Sequence, residues 1–227
     1  MTLESDFSRA MYPFLYQSDV VAPDAALLAS VRSSTLAKCS ETIALRSEML
    51  VEYGEALSQA AREMAHRFAI GGKLLAFGNG GSATDADDAA IDCLNPPQAG
   101  WQALPACSLS SDSATLTALA NDVGLENVFA RQMSALADRD DIAVGFSTSG
   151  TSANVVAAFA DAKKRGLLTI ALTGYDGGTV ARSGTVDFCF VARREFVPRI
   201  QEGHATMWHT LLDLVQRVIA HDTEALT

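Results

Sequence analysis

The sequence predicts an α/β protein whose five parallel strands form one sheet covered by helices on both faces. Short apolar runs alternate with longer segments of helical periodicity, and glycine-, serine- or aspartate-rich turns follow several of these runs. Such alternation is typical of βαβ units, in which right-handed crossovers place helices on both faces of a parallel sheet. The chain has 227 residues, enough for one hydrophobic core, and no linker separates a second domain.

The first part of the chain is predicted to be helical. Residues 1–30, which two prolines interrupt, indicate a short helix or an arm. From Ser34 to Ile70 there are few breakers and apolar residues recur near helical spacing, which predicts one long helix or two. The pair Gly71–Gly72 then provides a C-cap. We interpret residues 1–33 as an N-terminal extension and residues 34–227 as the main domain, including its own helical beginning.

Strands and helices then alternate to the end of the chain. The predicted strands are residues 73–77, 103–109, 141–146, 167–172 and 186–192. The predicted helices are residues 84–94, 112–120, 126–137, 153–165 and 198–221.

Charge and composition exclude several classes of partner. The net charge of −10 argues against binding to nucleic acid or to an anionic membrane, because both require a basic surface. The four cysteines form no CxxC pair, which favours reduced thiols over a disulfide framework. No basic segment precedes an apolar run at the N-terminus, and no apolar stretch reaches the roughly 18–20 residues of a membrane span. We therefore expect a cytoplasmic protein.

Two turns each follow a predicted strand and open a predicted helix: GNGGS at residues 78–82 and STSGTS at residues 147–152. Small residues let the backbone approach an anion, and hydroxyl groups and free N–H groups at a helix start can donate to it. Neither turn matches the Walker pattern or GxGxxG, so a nucleotide is not indicated. Either turn alone is compatible with a simple turn and N-cap. The hydroxyls of Ser147, Thr148, Ser149 and Ser152 together favour a phosphate cradle.

Four aspartates follow the first turn: Asp85, Asp87, Asp88 and Asp92. Asp88 and Asp92 share one helix face, and Gln201 and His209 share a face of the last helix. Such a set can converge on one divalent ion, which would offset the repulsion between carboxylates and a phosphate. Spacing alone favours the alternative, in which the aspartates are a solvated face near the helix N-terminus and the histidine is structural.

Four segments together resemble the sugar isomerase (SIS) domain and, more narrowly, the phosphoheptose isomerases: GNGGSATDA, STSGTSANVVAAF, LTGYDGG and RIQEGH. The resemblance covers roughly residues 34–221. It implies a three-layer, flavodoxin-like sandwich and a homotetramer with sites at subunit interfaces. It also implies a small phosphorylated sugar as substrate, with interconversion of sedoheptulose 7-phosphate and glycero-manno-heptose 7-phosphate.

The same resemblance implies the residues of the site. Substrate-binding positions fall on Asn79, Gly80, Ser82, Asp112, Ser147, Thr148, Ser149, Ser152 and Gln201. Metal-binding positions fall on Asp88, Asp92, Gln201 and His209. The family pattern of these four is His, Glu, Gln and His, so the first two have become aspartates here. The family implies zinc, whereas the oxygen-rich set favours Mn, Fe or Mg.

The implied catalytic pair is Asp92 and His209. Asp92 would remove the proton from the carbon beside the carbonyl, and His209 would move the oxygen-bound proton, through an enediol. Asp92 is one methylene shorter than the family's glutamate, so either the backbone has adjusted or the activity is weak, altered or lost. Two other functions stay open: a non-catalytic sugar-phosphate sensor or scaffold of the replication-initiator-associating type, and an isomerase of a different sugar phosphate.

For four neighbouring residues we expect lesser roles. Asp85 matches a family position and is expected to support the site, whereas Asp87 is expected to be solvated surface. His204 is expected either to support the ligands or to pack, and Trp208 is expected to pack or to lie at an interface.

Overall fold

The computed structural model describes residues 24–224, with the side chains of residues 24–221. Its sheet contains five strands in the order β2-β1-β3-β4-β5. The strands are β1 (Leu74–Gly78), β2 (Ala106–Ser108), β3 (Ile142–Ser147), β4 (Leu168–Gly174) and β5 (Phe188–Ala192). Every neighbouring pair is parallel, which confirms the predicted α/β class and the five-stranded parallel sheet.

Seven α-helices and one 3-10 turn lie within the described residues. The helices are α1 (Ala25–Ala69), α2 (Gly81–Leu94), α3 (Ser113–Val123), α4 (Val128–Leu136), α5 (Ala153–Arg165), α6 (Gly178–Arg182) and α7 (Val197–Glu224). The 3-10 turn covers Leu125–Asn127. The turn was predicted only in part, as the beginning of the helix at residues 126–137, and α6 was not predicted from the sequence.

Helix α1 is one helix and begins at Ala25, earlier than the predicted start at Ser34. Asp24 explains the early start, because its Oδ1 accepts a hydrogen bond from the Ala26 N–H at 3.1 Å. Gly71, at φ 94°, ends the helix as predicted. The chain divides into two compact units after Ser40, and the described part of the first, residues 24–40, is helical from its second residue. Of residues 1–30, predicted to be a short helix or an arm, residues 1–23 lie outside the described residues and residues 25–30 belong to α1.

Most other elements differ from the prediction by one to three residues at an end, and two of these differences have a clear local cause. Strand β2 covers only part of the run at 103–109, because it is an edge strand that pairs with β1 alone. Helix α2 begins inside the first glycine-rich turn, because Gly80 at φ 56° turns the chain from β1 directly into the helix.

Alternate strand side chains supply two apolar clusters, one on each face of the sheet. Leu74, Val144 and Ile170 pack with α2, α7 and the part of α1 that follows Ser40. Leu75, Phe77 and Ala143 pack with α4 and α5 on the other face. The Phe77 ring centroid lies 5.1 Å from that of Phe159 and 5.6 Å from that of Phe129. The sheet is therefore the middle of three layers, as predicted.

Two negative findings apply to the described residues. None of their helices combines the length and apolar character needed to cross a membrane. The four cysteines, all of them described, are free thiols, although Cys39 is exposed.

The middle of β3 has no room for a side chain at Gly145. An added Cβ would lie 2.5 Å from Phe159 Cζ and 2.7 Å from Phe77 Cε2. We expect Gly145→Ala to lower the free energy of unfolding by about 1–3 kcal/mol, the usual cost of overpacking. Urea denaturation at fixed protein concentration measures this change.

Gly54 is the matched control, because a Cβ added there meets no atom within 4 Å. Gly54→Ala, inside α1, should raise the free energy of unfolding by about 0.5–1 kcal/mol. If Gly145→Ala were as stable as wild type, the packing of this aromatic cluster would be described wrongly.

Candidate active site

The two glycine- and serine-rich turns lie beside each other. They follow β1 and β3, which are parallel neighbours, with Gly78 in register with Phe146. The carboxyl ends of parallel strands meet at one edge of the sheet, which is the edge where α/β folds bind ligands. The fold therefore brings the two predicted ligand-binding turns together.

A reciprocal pair of amides joins these turns. Asn79 Nδ2 donates to Asn154 Oδ1 at 2.8 Å, and Asn154 Nδ2 donates to Asn79 Oδ1 at 2.9 Å. Asn154 is buried, and its Oδ1 also accepts the Val155 N–H at 3.0 Å. Asn79 was predicted to bind substrate, whereas here its amide binds the protein. Asn154 was not found from the sequence, because an asparagine near a helix start gives no sign of a long-range partner.

The hydroxyls of the serine-rich turn form a small network. Ser147 Oγ lies 3.3 Å from Ser152 Oγ and accepts the Gly150 N–H at 3.2 Å. Ser149 Oγ accepts the Thr151 N–H at 3.2 Å and the Thr151 hydroxyl at 3.0 Å. Ser152 is the N-cap of α5, yet its side chain makes no capping hydrogen bond. The Val155 N–H donates to Asn154 Oδ1, and the N–H groups of Ala153 and Asn154 remain available to an anion.

Two glycines hold the serine-rich turn against the turn after β4. Gly150 has φ 62°, and a Cβ there would lie 2.1 Å from the Gly177 carbonyl oxygen. A Cβ on Gly178 would lie 2.4 Å from the Ser149 carbonyl oxygen. Thr148, predicted to bind substrate, is half-buried in this turn. A side chain at either glycine would therefore collide with the facing backbone.

A cavity of about 440 Å³ opens between the two turns. It is lined by Asn79, Leu125, Glu126, Ser152, Ala153 and Asn154. Its volume suits a small ligand. Glu126 places a carboxylate in this wall. Sequence analysis put it at the start of a predicted helix and assigned it no role, because a glutamate near a helix start is common without any ligand.

Three other predicted substrate positions have structural roles. Gly80 is exposed and makes the bend between β1 and α2. Ser82 is buried, and its N–H donates to the Asn79 carbonyl at 3.0 Å. Asp112 is the N-cap of α3 and lies outside this cavity. Hydrogen bonds from the Thr115 hydroxyl and N–H hold the pKa of Asp112 below its ordinary value.

The predicted catalytic residues meet on the facing helices α2 and α7. Asp92 Oδ2 lies 3.6 Å from His209 Nε2. The same oxygen accepts a hydrogen bond from Trp208 Nε1 at 3.1 Å. The side chain of Asp92 is 19% exposed and that of His209 is 64% exposed. The pair therefore lies at the border between the core and the solvent.

The remaining predicted metal ligands do not join this pair by hydrogen bonds. Gln201 lies against Gly81, where a Cβ would be 2.2 Å from Gln201 Nε2. Asp88 is exposed. Among the described residues, no group of three or more His, Cys, Asp or Glu side chains could hold a metal ion. The oxygen and nitrogen donors suit a divalent ion in type, but the structure pairs only Asp92 with His209.

A buried polar pair lies along α2 and α7 between the Gly81–Gln201 contact and the Asp92–His209 contact. His204 Nδ1 is 3.9 Å from Asp85 Oδ2, and His204 is fully buried. Within the described chain, neither His204 ring nitrogen nor Asp85 Oδ2 has a hydrogen-bond partner. Asp87, expected to be solvated, is half-buried with an unpartnered Oδ1, because its position shares a helix face with buried Ala90. The expectation for Asp87 was therefore wrong.

The turns and the catalytic pair lie at opposite ends of α2. Ser82 is at its first turn and Asp92 in its last, so about 15 Å of helix axis separates them. One described chain thus contains two separate regions with ligand-binding character.

Comparison with known proteins identifies the family. The family model of the SIS domain matches residues 39–174. The phosphoheptose isomerase of Thermodesulfovibrio yellowstonii is 41% identical over 179 residues, which cover 79% of this chain and 88% of that protein. The chain belongs to the phosphoheptose isomerases of the SIS domain family. It is accordingly a sugar-phosphate isomerase, as the resemblance implied.

Further relatives agree with this family. The phosphoheptose isomerase of Helicobacter pylori is 41% identical over 167 residues, 74% of this isomerase and 86% of that protein. The solved structure of a phosphoheptose isomerase from Neisseria gonorrhoeae has a TM-score of 0.75 at 36% identity. The aligned region covers 82% of this isomerase and 98% of that chain. The SIS match ends at residue 174, before α7 and its His209.

The amide pair between the turns predicts an effect on substrate binding. We expect Asn154→Ala to raise the KM for a sugar phosphate about fivefold, because such a hydrogen bond contributes about 1 kcal/mol to the positioning of the turns. The kcat should change less than about threefold, since Asn154 holds the turns and supplies no proton-transfer group. Asn121→Ala, which removes an exposed amide from α3, is the control. An unchanged KM in a folded Asn154→Ala protein would show that the amide pair does not position the turns.

Proposed function

We propose that this isomerase interconverts sedoheptulose 7-phosphate and glycero-manno-heptose 7-phosphate. The observation that carries the proposal is the pairing of Asp92 with His209 across α2 and α7. The names of the similar proteins support the substrate class, because each is a phosphoheptose isomerase. The serine-rich turn supports binding of the phosphate.

The pair supplies the two proton-transfer groups that the reaction needs. Asp92 takes the proton from the carbon beside the carbonyl, and the electrons of the broken C–H bond form the enediol. His209 moves the proton between the two oxygens, and Asp92 returns its proton to the neighbouring carbon. The sum is an aldose–ketose exchange with no net gain or loss of protons.

Substitution of the pair tests this mechanism. We expect His209→Gln and Asp92→Asn each to lower kcat by about 10²–10⁴-fold, the usual contribution of a positioned acid or base. Turnover of sedoheptulose 7-phosphate is followed by NMR of the aldose product. His66→Gln, which changes an exposed histidine of α1, should keep wild-type turnover. Full activity of both substituted proteins would refute the role of the pair, and turnover of another sugar phosphate alone would refute the substrate.

We also propose that a divalent ion takes part, and when bound it would polarise the substrate carbonyl. Asp92 and His209 would hold it, since they are the predicted ligands that lie together. The side chains of Gln201 and Asp88 make no hydrogen bond to described residues, which leaves their oxygens available. Zinc is implied by the family, and Mn, Fe or Mg by the two aspartates.

Chelation tests the ion. Treatment with EDTA should abolish turnover, and Zn, Mn or Mg should restore it. Because only Asp92 contacts His209, Asp92→Asn should lower the metal content measured by mass spectrometry more than Asp88→Asn does. Full turnover by metal-free protein would contradict the participation of an ion. A lower metal content in Asp88→Asn than in Asp92→Asn would contradict this ligand assignment.

We further propose a homotetramer in which a second copy brings its turns to the catalytic pair. Two observations support it: the turns and the pair lie at opposite ends of α2, and apolar side chains beside the pair are exposed. Ile91 is 56% exposed and Leu94 54%. Such side chains on a helix next to functional groups favour a subunit interface.

Light scattering tests the assembly. Wild type should have the mass of four chains, and Ile91→Glu should lower both the mass and the turnover, because a carboxylate would be buried at the interface. A wild-type monomer with full activity would overturn the assembly.

A further inference from the structure

Trp208 places a hydrogen-bond donor against the carboxylate proposed as the base. Its Nε1–H donates to Asp92 Oδ2 at 3.1 Å. The Trp208 side chain is nearly fully buried, 2% exposed, and belongs to the apolar cluster that includes α2 and α7. Close packing fixes the orientation of such a ring and hence the direction of its N–H. We expected Trp208 to pack or to lie at an interface, and the hydrogen bond adds a second role.

Two consecutive residues of α7 approach the same oxygen of Asp92, Oδ2, from different sides. Trp208 does so from the buried side, whereas His209 approaches from the exposed side with Nε2 at 3.6 Å. Asp92 Oδ1 has no hydrogen bond to any residue that the structure describes. One oxygen is therefore held by the protein, and the other remains free for the reacting proton.

We propose that Trp208 is a positioning residue for the isomerase reaction, and that its indole N–H orients the Asp92 carboxylate towards the substrate. The inference rests on the proposed role of Asp92 as the base. An aspartate side chain rotates about two bonds, and Trp208 provides the only hydrogen bond that Asp92 receives from the described chain. Loss of the N–H would free the carboxylate to rotate. A misplacement near 1 Å can cost on the order of 100-fold in rate.

Nuclear magnetic resonance tests the contact without any need for turnover. The chain contains two tryptophans, so the ¹⁵N-labelled protein gives two indole N–H signals, and Trp101→Phe identifies which belongs to Trp208. Asp92→Ala removes the acceptor and should move the Trp208 signal upfield. The Trp101 signal should keep its position. If the Trp208 signal stayed in place in folded Asp92→Ala, the hydrogen bond and the proposal would be overturned.

Steady-state kinetics tests the consequence for the reaction. Trp208→Phe keeps most of the ring volume and removes the N–H. We expect kcat to fall by about 10- to 100-fold and KM to change less than about threefold, since the orientation of the base affects the chemical step. Trp101→Phe, which changes a partly buried ring packed against the same cluster, should keep both constants. An unchanged kcat in Trp208→Phe would overturn the proposal.

A purely structural role would give a different pattern. It would lower the midpoint of urea denaturation and the fraction of folded protein, with kcat per folded molecule unchanged. If Trp208→Phe did not fold, the signal shift in Asp92→Ala would still decide whether the contact exists. If wild type converted no sugar phosphate, the proposed function would be refuted. An upfield shift of the Trp208 signal in Asp92→Ala would then still show that the hydrogen bond exists.

Discussion

Helices α2 and α7 can approach each other at Gly81 only because that residue has no side chain. A Cβ there would lie 2.2 Å from Gln201 Nε2. On its other side, α7 is also tightly packed at Gly203, where a Cβ would lie 3.0 Å from Ala192 Cβ of β5. The two glycines thus let α7 lie close to both α2 and β5. In this arrangement His209 and Trp208 both come within reach of Asp92.

The surface between α2 and α7 combines apolar packing with buried polar groups. His204 and Asp85 face each other there with unpartnered atoms, and an unsatisfied buried polar group costs about 1–3 kcal/mol. Apolar residues at these positions would give a more stable helix pair. Natural proteins accept such losses mainly at functional sites, which agrees with the proposed role of nearby Asp92 and His209.

The length of α2 separates two groups of opposite electrostatic preference. The serine-rich turn and the start of α5, which lie near the start of α2, offer hydroxyl and N–H groups to an anion, whereas carboxylates gather further along α2. Between Ser82 and Asp92 the helix axis advances about 15 Å, and charges in water are screened over about 8 Å at physiological ionic strength. Asp92 therefore hardly opposes an anion bound at the turns of its own chain. Glu126 is the exception, because it lies in the wall of the cavity itself.

The sequence by itself determined the parts that depend on local chemistry. Alternating strands and helices gave the parallel sheet, and the two small-residue turns were placed correctly after β1 and β3 because glycine and serine favour such turns wherever they occur. Helical spacing correctly put Asp88 and Asp92 on one face, but it could not show that Asp92 meets His209 while Asp88 is exposed. That choice depends on how α2 is rotated by the packing of Ala86 and Cys93 in the core, and α7 lies more than a hundred residues further along the chain. The amide pair of Asn79 with Asn154 and the hydrogen bond from Trp208 were likewise decided only by the tertiary structure, because neither partner carries any local sign of the other.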